Sequence, residues 1–168
     1  LSFHHLASYG LDGFAIAAEA LVGEAIGKSD WEAFNRVVLK CTQCSLVIAL
    51  GFSGFFTFTS PWIVPLMTSV KSVLTNVYHY LPWVLALPVI SMPGFLLDGV
   101  FIGATWSIPM RNTMIVASLF IFFPLTYVLI PLFGNHGLWF SFSLFMVARS
   151  ILLYKIFRKR NKVKNGLL

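Results

Sequence analysis

Apolar segments long enough to cross a lipid bilayer, which takes about 20 residues, follow one another along most of this chain. Charged residues make up only 11% of its 168 residues, whereas a typical soluble domain has about 25%. A surface this poor in charge suits lipid rather than water. The sequence therefore predicts an integral membrane protein of the all-α class.

The apolar segments predict a polytopic helical bundle. Five transmembrane helices are expected at residues 3–26, 36–57, 81–106, 113–133 and 138–157. Residues 60–80 open with Ser60-Pro61, a pair that is typical of a helix start. They also contain Trp62 and Lys71, residue types that are typical of a membrane interface, so we predict an external interfacial helix there. The transmembrane bundle then covers residues 1–157, and a basic cytoplasmic tail covers residues 158–168.

Basic residues gather at one set of helix ends. Lys28, Arg36 and Lys40 flank the connection between the first two predicted helices, and Arg111 follows the third. Half of the twelve basic residues lie between positions 155 and 164. The positive-inside rule therefore predicts a cell inner-membrane protein with a cytoplasmic C-terminus. The same distribution accounts for the net charge of +6 without a nucleic-acid partner.

Asp98 lies inside a long apolar stretch that contains no other charged residue. A carboxylate at the centre of a bilayer costs roughly 2.5–3.5 kcal/mol on insertion scales, so such residues usually bind or relay something. We therefore predict that Asp98 binds an ion, a proton or a cationic ligand. The alternative is a carboxyl group that is hydrogen-bonded between helices for packing alone.

The predicted helix around Asp98 also contains prolines, of which Pro88 and Pro93 are the nearest. Each proline lacks an N–H group and leaves a carbonyl oxygen one turn earlier without its helical partner. In lipid such oxygens must be satisfied, so a broken membrane helix faces protein or a water-filled cavity. We predict helix kinks at Pro88 and Pro93 near the binding site; kinks that serve packing alone are the alternative.

The first predicted helix carries two further acids. Asp12 and Glu19 are seven residues apart and therefore share one helix face. The same helix is rich in small residues, with Gly23 and Gly27 one turn apart, and small residues let a neighbouring helix approach closely. We predict that this helix lines the bundle interior, and that Asp12 and Glu19 join Asp98 in binding a coupling ion or a substrate.

A cavity lined by carboxyl groups can hold a proton, Na⁺ or an organic cation in turn, because all of them bind the same negative charge. Such competition is the minimal mechanism of an antiporter. A membrane potential adds about 2.3 kcal/mol per charge per 100 mV to the inward movement of the driving ion. We therefore predict a transporter rather than an enzyme, with no cofactor and no metal site.

Other polar residues are less decisive. Cys41 and Cys44 form a single Cys-x-x-Cys, which we interpret as helix packing, with a redox or metal role as the alternative. Arg149 either snorkels to the cytoplasmic surface, which we favour, or pairs with an acid. The four histidines lie at predicted external helix ends, where we expect them to be solvated.

Several stretches carry a family resemblance. They are residues 11–23, LDGFAIAAEALVG, residues 97–104, LDGVFIGA, residues 110–114, MRNTM, and residues 134–139, GNHGLW. Together they resemble the MATE (multidrug and toxic compound extrusion) transporters, most closely their DinF-type branch, over nearly the whole chain. The resemblance implies the last five helices of a twelve-helix transporter, within its C-terminal lobe. It also implies that the N-terminal lobe of the same protein is a missing partner.

By this resemblance the whole protein exports small cationic or amphipathic compounds by antiport with H⁺ or Na⁺. Asp98 corresponds to the acid of the tenth helix, used for cation or substrate binding, and Asp12 and Glu19 to acids of the eighth. Some Na⁺-coupled members have a tyrosine about one turn before the tenth-helix acid, where this chain has Gly94. That difference favours H⁺ as the coupling ion.

Two other functions remain open from the sequence. One is a flippase for lipid-linked saccharides in the same superfamily, which would need a strongly cationic cavity. The acids predicted inside this lobe argue against that function. The other is a non-transporting, degenerate membrane fragment, which the three retained acids Asp12, Glu19 and Asp98 oppose.

Overall fold

The computed structural model describes the backbone of residues 2–67 and 69–164 and the side chains of residues 12–66 and 69–161. Within these ranges the chain is helical apart from short turns and contains no β-strand. The helices are α1 Ser2–Gly27, α2 Trp31–Met67, α3 Lys71–Gly103, α4 Ser107–Ala117, α5 Phe123–Phe133 and α6 Asn135–Lys164. The prediction of an all-α bundle is confirmed.

Four segments of the described chain are long and apolar enough to cross a membrane. They are Trp31–Leu66, Lys71–Gly103, Ser107–Phe133 and Asn135–Asn161. The third segment joins α4 to α5 through a short π-helical stretch, Ser118–Phe122. α1 lies at the first of the five predicted spans. It contains three acids, at positions 12, 19 and 24, which is more than any of these four segments contains.

The prediction of a separate interfacial helix at residues 60–80 is wrong. Residues 60–67 continue α2 and residues 71–80 begin α3, so the chain reverses between these two parts. Pro61 leaves the carbonyl oxygen of Thr57 without a backbone donor, and the Ser60 hydroxyl donates a long hydrogen bond, 3.4 Å, to that oxygen. The Ser-Pro pair therefore continues a helix instead of opening one.

The ends of two helices also differ from the predicted boundaries. α2 begins at Trp31, ahead of the membrane span predicted from residue 36, because Asp30 caps it. The Asp30 Oδ1 atom accepts a hydrogen bond of 2.8 Å from the N–H of Ala33, as a helix N-cap does. At the other end of the chain, α6 continues through the predicted basic tail as far as Lys164.

α3 lies in the middle of the bundle, where it contacts α1, α2, α4 and α6. Its second half is buried in a core to which α1, α2 and α6 also contribute, with Val22, Phe34, Val100, Phe101 and Leu153 among its members. By contrast, α2 and the α4–α5 segment expose large apolar side chains, such as Phe58 and Phe120. Such surfaces suit lipid or another part of a membrane protein. The helix that carries Asp98 is therefore well shielded.

The two cysteines have different environments. Cys41 is buried in this core, whereas Cys44 is exposed. The packing interpretation is therefore confirmed for Cys41 alone. Among the described side chains, no three His, Cys, Asp or Glu residues are grouped so that they could hold a metal ion.

Candidate cation site

Asp98 of α3 forms an ion pair with Arg149 of α6. Both carboxylate oxygens accept hydrogen bonds from the Arg149 Nη2 atom, at 2.6 Å for Oδ1 and 2.5 Å for Oδ2. The Asp98 and Arg149 side chains are only 19% and 11% exposed. Opposite charges at this distance offset much of the cost of keeping either group away from water. Arg149 therefore pairs with an acid, and the interpretation that it snorkels to the surface is wrong.

A glycine makes room for this arginine. Gly94 lies one turn before Asp98 on α3 and is buried. A Cβ atom at Gly94 would lie 3.1 Å from the Ser150 hydroxyl oxygen and 4.0 Å from the Arg149 Nη1 atom. Side chains of α6 therefore occupy the space that a residue larger than glycine would need at position 94. The Arg149 Nε atom is buried here without a hydrogen-bond partner among the described residues.

α1 packs against the other side of α3, so closely that backbone atoms of the two helices touch. A Cβ atom at Gly99 would overlap the carbonyl group of Ala15, and one at Gly103 would overlap the carbonyl group of Glu19. Gly23 lies beside the same contact, where its Cβ position would be 3.6 Å from the Gly103 carbonyl oxygen. The predicted close approach of a helix to α1 is thus confirmed.

Gly27 takes no part in that approach, because a Cβ atom there would meet nothing within 4 Å. The expected pairing of Gly23 with Gly27 as one contact surface is therefore wrong. The actual partner glycines, Gly99 and Gly103, lie on α3 itself, one turn apart. Since both helices contribute small groups at this contact, their backbones touch.

The contact between α1 and α3 decides where the other two acids lie. Asp12 is half-buried and close enough to Asp98 for the two carboxyl groups to interact electrostatically. Glu19 is also half-buried, but it lies about two helical turns further along α1, roughly 10 Å away from Asp12 along the axis. The structure thus brings Asp12 and Asp98 together and places Glu19 further along the same interface.

Pro88 and Pro93 precede Asp98 on α3, which is a continuous helix from Lys71 to Gly103. Pro88 is buried and Pro93 is half-buried. Hydroxyl groups satisfy carbonyl oxygens in this part of the helix: Ser53 of α2 donates to Leu85 at 2.7 Å, and Ser91 donates to Leu87 at 2.6 Å. These are not the oxygens that Pro88 and Pro93 leave without a helical donor, which belong to Val84 and Val89.

Comparisons with known proteins agree on one family. The MatE family model matches residues 1–128 of the chain. The DNA damage-inducible protein F of Escherichia coli (strain K12) is 38% identical over 152 residues, which are 90% of this chain and 33% of that protein. The chain belongs to the MatE family.

Solved structures show the same MatE fold at low sequence identity. The eukaryotic MATE transporter AtDTX14 superposes with a TM-score of 0.86 at 15% identity, over 98% of this chain and 38% of that one. The inward-facing conformation of a multidrug resistance MATE family transporter of the MOP superfamily gives 0.83 at 19% identity, over 98% and 39%. The chain thus spans about a third of the curated relative and under half of these transporters. It is a multi-pass membrane protein.

One residue of this MatE chain was missed by reasoning from sequence. Asp98 was predicted as a site residue, but its partner Arg149 was assigned to the surface. A signal was available, because both charges interrupt apolar segments, and opposite charges inside a membrane usually pair. The basic run that starts at Lys155, less than two turns later, hid this signal by making Arg149 look like its first member.

Proposed function

We propose that this chain is part of the C-terminal lobe of a secondary transporter, which exports small cationic or amphipathic compounds by antiport with H⁺. The buried ion pair of Asp98 and Arg149 is the observation that supports this function most directly. Membership of the MatE family supports it as well. In this proposal the protein lies in the inner membrane with a cytoplasmic C-terminus, since its basic residues gather at that end.

Asp98 is the group that binds cations, and Arg149 is the cation that occupies it in this state. A substrate cation has to displace Arg149 in order to reach the carboxylate, because both Asp98 oxygens already accept hydrogen bonds from it. A proton has the same effect, since a neutral carboxyl group no longer attracts the guanidinium group. Either event breaks a contact between α3 and α6. Occupancy of the site is thereby linked to the relative positions of the two helices.

In this proposal the coupling ion is H⁺ rather than Na⁺. A hard cation such as Na⁺ needs several oxygen ligands at short distance, on the order of five or six, by analogy with the oxygen-rich sites of other hard cations. Here Arg149 takes up both carboxylate oxygens, and Gly94 offers no side-chain oxygen one turn earlier. A proton needs only one of the Asp98 oxygens.

Asp12 and Glu19 support cation binding from α1. Asp12 adds negative charge close to Asp98, which attracts a cation towards the Asp98 carboxylate. Glu19 lies on the same interface and provides a second acidic position along it. In this proposal the two acids raise the local concentration of cations, while Asp98 makes the decisive contact.

The charge balance argues against a flippase for anionic, lipid-linked saccharides. Arg149 is buried, but Asp98 neutralises it. The half-buried acids Asp12 and Glu19 then leave the described interior with negative rather than positive charge. A non-transporting fragment is opposed by the retention of all three acids, Asp12, Glu19 and Asp98.

The coupling ion is tested with the complete transporter in liposomes. A pH gradient and a Na⁺ gradient are imposed one at a time, and efflux of a cationic dye is measured. We expect efflux to follow the pH gradient at constant Na⁺. Efflux that follows Na⁺ at constant pH, and is indifferent to the pH gradient, would overturn the assignment of H⁺.

The role of Asp98 is tested with the Asp98→Asn variant at matched expression. We expect this variant to lose most of its dye efflux, because an amide neither carries charge nor exchanges a proton. Glu32→Gln is the matched control, since Glu32 is an exposed acid at the start of α2. Wild-type efflux from Asp98→Asn would remove Asp98 from binding and coupling.

A further inference from the structure

A groove with two cations lies between the start of α4 and the end of α6. Its volume is about 620 Å³. Lys159 and Arg160 of α6 line it together with the amide of Asn112, while Ile108 and Ile156 form an apolar wall. The groove therefore combines positive charge and a polar donor with a surface that suits hydrocarbon.

The groove lies beyond the apolar part of α6. The apolar part of α6 gives way to a basic run that starts at Lys155. α4 begins next to it, after the turn that holds Trp106, and tryptophan is typical of the lipid headgroup level. A ligand in this groove therefore meets headgroups and the adjoining ends of acyl chains rather than bulk water alone.

The two cations of the groove are available to an anion. The three ion pairs among the described residues use Lys28, Arg36 and Arg149, and so leave Lys159 and Arg160 without an acidic partner there. The Arg160 guanidinium group lies over the Trp106 ring, 5.0 Å from its centroid. Stacking of this kind orients the guanidinium plane and leaves its N–H edge able to bind a phosphate.

We propose that this groove binds one anionic phospholipid. Its phosphodiester group lies between Lys159 and Arg160 with the Asn112 amide as a further donor, and an acyl chain lies along Ile108 and Ile156. Basic pockets between membrane helices are suited to such headgroups. The apolar wall favours a lipid over free phosphate, because phosphate would leave that wall uncovered. The bound lipid would hold the end of α6 against α4, and this role does not depend on the transport proposal.

The proposal is tested on the complete protein, solubilised in a neutral detergent. Binding of dioleoyl phosphatidylglycerol is measured by native mass spectrometry and by the rise in melting temperature. Dioleoyl phosphatidylcholine and inorganic phosphate serve as comparison ligands. We expect clear binding of phosphatidylglycerol and much weaker binding of the other two.

Two matched variants separate the groove from general surface charge. Lys159→Gln/Arg160→Gln removes both groove cations and should weaken phosphatidylglycerol binding by about 25-fold, since each cation near an anionic lipid contributes about fivefold. Lys155→Gln/Arg158→Gln removes two charges of the same helix outside the groove and should change binding by less than about threefold. The melting temperature of each variant without lipid shows that it is folded.

The apolar wall is tested separately with Ile108→Gln, a change at a residue that is 65% exposed. This variant should weaken phosphatidylglycerol binding while leaving the folded protein intact. Equal losses in the two charge variants would overturn the proposal in favour of diffuse surface attraction. Binding of inorganic phosphate as tight as that of phosphatidylglycerol would also overturn it, because the groove would then be a simple anion site.

Discussion

Gly99 of α3 lies directly against the backbone carbonyl group of Ala15 in α1, so that a Cβ atom at Gly99 would come within 2.7 Å of the carbonyl carbon. One turn further, Gly103 has the same relation to Glu19. The two contacts advance in the same direction along both helices, and α1 and α3 therefore run parallel here. This packing is what brings Asp12 close to Asp98.

Gly99→Ala should destabilise the protein. The added methyl group meets backbone atoms of α1, which cannot rotate away as a side chain can, so the two helices have to separate. Overpacking of this kind typically costs about 1–3 kcal/mol. The measurement is thermal or denaturant unfolding of the complete protein in detergent.

Gly51→Ala on α2 is the control for this change. Gly51 is exposed, and a Cβ atom there meets nothing within 4 Å. Alanine is the better helix former, so this variant should be as stable as the wild type or more stable, by up to about 1 kcal/mol. Equal stability of the Gly99→Ala and Gly51→Ala variants would contradict the contact between α1 and α3.

Arg149→Met should be strongly destabilising, because it leaves the Asp98 carboxylate buried without its partner. Breaking a buried ion pair in this way costs about 3–5 kcal/mol. The double variant Asp98→Asn/Arg149→Met should recover much of that loss, since no uncompensated charge remains. Denaturant unfolding of the wild type, both single variants and the double variant forms a complete cycle for this test.

Arg36→Met provides the matched control on the surface. Its partner is Glu32, and the two side chains are 63% and 81% exposed. Exposed pairs contribute about 0–1 kcal/mol, so Arg36→Met should have a small effect. If Arg149→Met costs no more than Arg36→Met, Asp98 and Arg149 are not a buried pair in the complete protein.

The general architecture could be predicted from the sequence because it follows from local rules. A shortage of charge and long apolar segments require membrane helices, and each of the five predicted spans is helical. Four segments of the described chain are long and apolar enough to cross a membrane. The small residues of α1 correctly predicted a close helix neighbour. The identity of that neighbour required the fold, since Gly99 and Gly103 lie about 80 residues further along the chain.

The predictions for Ser60-Pro61 and for Arg149 failed for identifiable physical reasons. Ser60-Pro61 was interpreted as a helix start, which is the common use of this pair, but the Ser60 hydroxyl donates to the carbonyl oxygen that proline leaves free. Arg149 was assigned to the surface because of the nearby basic run. Its partner Asp98 is 51 residues away in sequence, and a contact over that distance is a property of helix packing rather than of local pattern.

Labels at Asp12 and Glu19 should be shielded from lipid. Each position is changed to Cys in the complete protein and modified with a fluorescent thiol reagent, and quenching by nitroxide-labelled lipids is measured. Both residues are half-buried on the face of α1 that packs against α3, so we expect little quenching. Phe58→Cys, at a side chain that is 77% exposed, is the comparison and should be quenched. Quenching at both acidic positions equal to that at Phe58 would mean that α1 is rotated and that the acids face lipid.

His136 connects α6 to α3, although the histidines were expected to be solvated. His79 is exposed, and His4 and His5 lie outside the described side chains. The Trp83 Nε1–H group donates to the His136 Nδ1 atom at 3.0 Å, and the Nε2 atoms of His136 and His79 are 2.7 Å apart. Because Nδ1 of His136 accepts a hydrogen bond, its proton is on Nε2, which therefore donates to His79. His136 is half-buried and holds the first turns of α6 against α3.

His136→Phe should destabilise the protein by about 1–3 kcal/mol, because the half-buried Trp83 N–H group loses its acceptor. His79→Phe is the control: His79 is exposed, and without it the Nε2–H group of His136 can donate to water instead. That variant should cost less than about 1 kcal/mol. Both are measured by unfolding of the complete protein, with Trp83 fluorescence as a local probe of the contact. A larger loss for His79→Phe than for His136→Phe would show that Trp83 does not depend on His136.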